Sequence, residues 1–239
     1  MPPEHDEAGR IDSVPPVTFD AATAALVRLS ARITAGSEES VREGLAECAD
    51  AGVADQWIEE LVLQSYLFAG FPRALNAARE WRRLSEVGEP GVRRKRGVRG
   101  EEERRGVRGE AAEEETYAHS FEWRMRGAET CEVVYGASYD KLRGNIRRLH
   151  PLLDEWMIVE GYGKVLSRPG LDLARRELCI VAACAAAAQD RQLQSHLIGA
   201  RNAGVADDVI GAALGVLRDL VPDDAMTRAR LLWERVKGK

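Results

Sequence analysis

The sequence predicts an all-α protein made of two related helical halves in tandem, joined by a charged linker. Three observations predict it. Apolar residues recur at three- and four-residue spacing, and no run alternates with period two for long. The pentapeptide AGVAD occurs at 51–55 and again at 203–207, 152 positions later, and the register holds far enough to bring Trp81 onto Trp233. A stretch with almost no apolar residues, 88–115, separates the two copies.

Taken in order, residues 1–19 read as a flexible, polar tail. Its start, MPPEHDEAGR, has neither a basic opening nor an apolar run behind it and is not read as a secretory signal. Residues 20–87 form the first half. In 88–115, GEPGVRRKRGVRGEEERRGVRGEAAEEE, the glutamates nearly cancel the arginines and no aromatic side chains are interleaved for base stacking. Such a composition buries too little surface to offset the entropy of ordering it, so it reads as a linker and not as a nucleic-acid arm.

Residues 116–239 form the second half. Leu142, Ile146, Leu149, Leu153 and Trp156 mark an amphipathic helix over about 140–160, which Pro151 breaks or kinks. GYGKVLSRPGLD, 161–172, reads as loop, with Asp172 placed to cap a helix over about 173–188. Further helices are expected from about 190 to Gly204, from 207 to 220 and from 224 to 236.

At 239 residues and 45% apolar content the chain can build a sizeable core. A formal charge of −5 provides no overall basic field for nucleic acid. No uncharged apolar run approaches the ~18 residues a membrane span requires. Four cysteines in a chain this long make no disulfide framework, and a reducing cytoplasm is the expected location.

Chemistry concentrates in residues 177–196, ELCIVAACAAAAQDRQLQSH. Cys179 and Cys184 are five apart on one helix, so they point about 140° away from each other and cannot bond. Their sequence neighbours are Leu, Ile, Val and Ala, and they read as small core hydrophobes, not as reactive thiols. Glu177 heads the apolar run, and the sequence leaves two placements open for it. It either faces the core, where an unpaired charge is costly, or stays at the surface in the first turn. Gln189, Gln192 and His196 share one face of the next helix, and of these only the imidazole can move a proton near neutral pH. Spacing shows no cluster of metal ligands, and no metal is expected.

These residues resemble the carboxymuconolactone decarboxylase family, which includes the alkylhydroperoxidase D-like peroxidases. GYGKVLSRPGLDLARREL, followed by SHLIGARNAG, is similar to its decarboxylase branch, and AGVADQWIEELVLQSYLFAGFPRALNAA to its C-terminal portion. The likeness covers about 20–81 and 129–237. The peroxidase branch carries reactive cysteines twelve and fifteen positions after the glutamate, where this chain has Gln189 and Gln192. The resemblance therefore implies the glutamate–histidine pair, as Glu177 and His196, without the thiol nucleophile. It implies a cofactor-free acid–base enzyme acting on a small carboxylated lactone, with His196 as general acid and Glu177 orienting it. Arg168 would hold a substrate carboxylate, and Tyr162, Gln189 and Gln192 would line the site.

Shifted by 152, the site positions fall on Ala25, Ser37, Ser40 and Gly44, so the first half carries none of that chemistry. The pattern suggests one composite unit with a single site; Tyr66 and Phe71 read as helix packing. Family members are trimers or hexamers of subunits about half this length, which implies a homo-oligomer, a trimer of tandem chains first and a dimer second. Two alternatives remain open: a peroxide-linked redox role, disfavoured by the missing cysteine pair, and a non-catalytic helical scaffold or binding protein.

Overall fold

A computed structural model describes residues 17–85 and 117–238. The predicted linker and the tail as far as residue 16 lie outside the described residues. Among those described, every regular element is helical. The first half contains α1 (Ala21–Ala35), α2 (Glu38–Asp50), α3 (Asp55–Ala69) and α4 (Phe71–Leu84). The second opens with α5 (Ser120–Tyr135), α6 (Tyr139–Leu149), α7 (Pro151–Trp156) and a π-helical segment (Met157–Leu166). It closes with α8 (Leu173–Ala186), α9 (Asp190–Asn202), α10 (Asp207–Gly215) and α11 (Asp223–Lys237). Helices α8 to α11 each begin 152 positions after α1 to α4.

The two four-helix units meet through α1 and α8, whose starts are built alike. Asp20 accepts a hydrogen bond from the Thr23 amide at 2.8 Å, and Asp172 accepts one from the Arg175 amide at 2.9 Å, each satisfying an orphan donor of its helix. The Arg175 guanidinium then donates to Thr23 Oγ1 across the contact, and Ser30 Oγ donates to the Cys179 carbonyl further along. Leu26, Leu29 and Ile33 of α1 and Leu178, Ile180 and Val181 of α8 are sealed in one continuous core. Polar locks flank it. Arg28 holds Asp219 through both carboxylate oxygens, which keeps that carboxyl below its usual range.

One expectation is met and one needs correction. The helix expected over 140–160 is interrupted at His150, where the backbone is extended (φ −165°, ψ 127°). Pro151 then starts α7 at a position that needs no amide donor, and His150 Nδ1 accepts from the Leu152 amide. The stretch read as loop from 161 is π-helical through Leu166. Its glycines look like loop punctuation but serve close packing: a Cβ on Gly163 would lie 1.9 Å from the Trp123 carbonyl oxygen, and one on Gly127 2.1 Å from that of Ile158. Backbone-to-backbone contact of α5 with the π segment fixes where Tyr135 and Tyr162 point. Both tyrosines face the second half's buried polar site.

Candidate active site

Glu177 enters the core in the second turn of α8, whose wall of small side chains leaves neighbouring helices close. Its side chain is fully buried, which resolves the two placements in favour of the core. Helix α9 packs beside α8 and presents His196, whose Nδ1 lies 2.8 Å from Glu177 Oε2. Gly199, one turn after His196 on the same face, makes this contact possible. A Cβ there would sit 2.7 Å from Glu177 Oε2 and 2.7 Å from Val134.

The carboxylate's other oxygen, Oε1, is sealed from solvent with no hydrogen-bond partner among the described residues. A buried, half-satisfied carboxylate destabilises a fold unless a partner charge or proton offsets it. The imidazole is the group positioned to do so. His196 Nε2 makes no hydrogen bond with a described residue and is not among the sealed atoms, so this nitrogen keeps a small accessible surface.

Aromatic rings pack against the imidazole. The Phe68 ring meets the imidazole edge to face at 5.7 Å, and Tyr135 lies at 6.5 Å on another side. Phe68 belongs to α3, so the first half contributes to the surroundings of a dyad carried by the second. Tyr135 packs in turn on Tyr162 at 6.2 Å. Burial pushes the Tyr135 hydroxyl up to about 12 and that of Tyr162 well above its ordinary value, so both stay protonated and able to donate.

The first half shows what has replaced the site there. Gly44 stands at the position of His196 and Arg32 at that of Cys184. The Arg32 stem passes through the space an imidazole would take, its Cδ lying 2.7 Å from a Cβ built on Gly44. Glu43 and Glu47 hold its guanidinium at 2.7 and 2.6 Å. The first site is filled by a salt-bridged side chain.

The remaining predicted residues are dispersed. Tyr162 is buried, one ring removed from His196. Gln189 and Gln192 lie exposed at the start of α9, and neither side chain hydrogen-bonds to the dyad. Arg168 is not a free anion receptor: although it borders a cleft of about 530 Å³, its guanidinium holds buried Glu60 of α3 at 3.2 Å. Arg176, fully buried, holds the same carboxylate at 2.8 Å, so Arg168 is part of a lock between the halves. All four cysteines are buried and free. Burial pushes Cys131 and Cys184 up to about 12, and Cys179 higher still, which leaves essentially no thiolate near neutral pH.

Sequence reasoning reached Glu177 and His196 but missed Phe68, Tyr135 and Gly199. For Gly199 a signal existed, since three-residue spacing from His196 puts it on the same helix face. Phe68 and Tyr135 arrive from distant helices, and nothing local in sequence marks them. Among the described residues no group of three or more His, Cys, Asp and Glu side chains could hold a metal ion, and no helix is long and apolar enough to cross a membrane.

Residues 155–235, which include Glu177, His196, helices α8 to α10 and most of α11, match the carboxymuconolactone decarboxylase family. The match covers about a third of the chain. No curated protein matches it.

Proposed function

We propose, from the premise that the segment 155–235 belongs to the carboxymuconolactone decarboxylase family, that Glu177 and His196 form an acid–base dyad acting on a small carboxylated lactone. The observation that carries this reading is the direct 2.8 Å contact between His196 Nδ1 and a carboxylate with no exposed surface. A buried carboxylate beside Nδ1 fixes one tautomer and stabilises the imidazolium, leaving Nε2 as the working nitrogen.

In this reading the substrate's carboxylate leaves as carbon dioxide, and its bonding electron pair passes to the adjacent carbon and the conjugated carbonyl. His196 delivers the Nε2 proton to that carbon framework, and water restores the proton. The Glu177 carboxylate, held against Nδ1, compensates the charge of the imidazolium. Neutral Tyr135, beside the imidazole, is suited to donate to an oxygen on which charge develops. Apolar Phe68 beside the imidazole favours loss of carbon dioxide, since a poorly solvated carboxylate is the less stable ground state. Positioned proton transfer of this kind contributes about 10²–10⁴-fold.

The thiol alternative finds no support in the cysteines, which are buried and protonated. Crystals soaked with a panel of small lactones bearing carboxylates test the proposal. Ligand density against His196 Nε2, with carbon dioxide release from the same compound in solution, is the expected result. Density elsewhere and no release from any member of the panel would contradict it.

A further inference from the structure

Trp233 and Gly211 are the 152-shifted counterparts of Trp81 and Glu59. In the first half Trp81 Nε1 donates to Glu59 Oε1 at 2.6 Å, and Arg82 holds Oε2 at 2.9 Å. The indole there has a built-in carboxylate partner. In the second half that carboxylate is missing, because Gly211 occupies its position.

Trp233 is buried like Trp81, each 5% exposed. Its Nε1 makes no hydrogen bond with a described residue and is not among the sealed polar atoms, so the donor faces open space. That space is a cleft of about 650 Å³, within the ~300–1,000 Å³ typical of small-molecule sites. The nearest atom to a Cβ built on Gly211 is Trp233 Nε1 itself, at 3.8 Å, so the glycine leaves the room in front of the indole N–H.

The cleft is also lined by Arg218, Arg230 and Lys237, which form no ion pair among the described residues. All three cations are specific to this half, since positions 66, 78 and 85 of the first half hold Tyr66, Ala78 and Ser85. Three acids share the lining. Arg201 holds Asp207 at 3.0 Å, and Asp208 accepts from the Val209 amide at 3.0 Å. Asp208 keeps its charge while accepting that amide, so Asp208 and Glu234 stand against the three cations and the cleft retains a small positive excess.

We propose that this cleft binds a small molecule through its carboxylate, which takes the place that the Glu59 side chain fills in the first half. The carboxylate accepts from the Trp233 indole N–H, with Arg218 and Arg230 supplying the countercharge. The site is separate from the Glu177–His196 dyad and does not depend on it.

Benzoate and its neutral analogue benzamide are the probes. Titrated into the full chain, benzoate should move the Trp233 indole ¹H–¹⁵N resonance saturably while benzamide does not; the resonance is identified by its absence from Trp233→Phe. Arg218→Gln and Arg230→Gln should each weaken binding about tenfold, the loss of one charge-assisted contact. Gly211→Glu, which has space for its Cβ, should restore the first-half arrangement. Its indole resonance should be shifted without any probe, its melting temperature raised and its benzoate response abolished. The response should persist in His196→Ala, which separates this site from the dyad. An unmoved indole at tens of millimolar benzoate, equal shifts with benzamide, or an intact benzoate response in Gly211→Glu would overturn the proposal. So would a change of assembly mass in Gly211→Glu with no benzoate response in the wild type, which would assign the carboxylate to a second copy.

Discussion

Gly199 carries a load out of proportion to its size. A methyl group there would overlap Glu177 Oε2 and Val134, each 2.7 Å from the added carbon. Gly199→Ala is expected to lower stability by about 1–3 kcal/mol, as overpacking in a close-packed core does, and to push the carboxylate off His196. Urea unfolding measures the first effect and a crystal structure of the variant the second. The cysteines offer a complementary expectation. Cys131, Cys184 and Cys48 are each raised by burial from 9.0 to about 12, so the folded protein holds its thiol protons where the unfolded chain releases them. Their contribution is fully present below pH 9 and is lost as pH rises towards 12, so the melting temperature should fall over that window. A thiol reagent at pH 8 should label the native protein only as fast as it opens, whereas rapid labelling of one cysteine would contradict this burial. At this scale the sequence was informative where chemistry is motif-borne, as for Glu177 and His196. It was silent where a contact is made by folding, as for Phe68 and Tyr135.

Helix boundaries in the second half were legible because their signals are local. Asp172 caps α8, and α9 ends at Asn202 just before Gly204, whose φ of +85° an L side chain would resist. The π segment was not legible, because its cause lies in the neighbouring helix. Glycines in GYGKVLS suggest a turn until α5 is known to pass against Gly163. Two substitutions separate these readings. Gly163→Ala places a carbon 1.9 Å from the Trp123 carbonyl and should destabilise by more than about 3 kcal/mol, whereas Gly161→Ala has nothing within 4 Å and should be neutral to about 1 kcal/mol stabilising. Thermal melts of the pair decide it; equal effects would mean that the close approach of α5 is not what shapes the segment.

The whole molecule is held as one body by contacts that cross between its halves: the α1–α8 core, Arg28 with Asp219, and Arg168 and Arg176 with Glu60. The buried Glu60 cluster shows the usual asymmetry of such sites, since removing one partner strands a charge; Arg176→Met should therefore destabilise far more than Arg28→Met. Several large apolar side chains find no cover among the described residues. Leu149 is 79% exposed, and Phe121, Leu153 and Trp156 are each at least half exposed. Phe121 of α5 and the three residues of α6 and α7 leave exposed apolar surface of the kind that marks an interaction site. Light scattering at micromolar concentration is expected to give the mass of three chains. A monomer would remove the reason for that exposed surface.

What the molecule does rests on the dyad. If Glu177 and His196 act as one acid–base unit, carbon dioxide release from a carboxylated lactone should vanish in His196→Ala and in Glu177→Gln. The double variant should cost little more than either single one, because parts of one relay are not additive. Cys179→Ala and Cys184→Ala should leave turnover intact while changing stability by about 1 kcal/mol. The measurement that tests this most directly is the turnover of these five variants beside the wild type. The account predicts activity lost with either member of the dyad and kept without either cysteine. Activity that survives His196→Ala but disappears with Cys179 or Cys184 would contradict it.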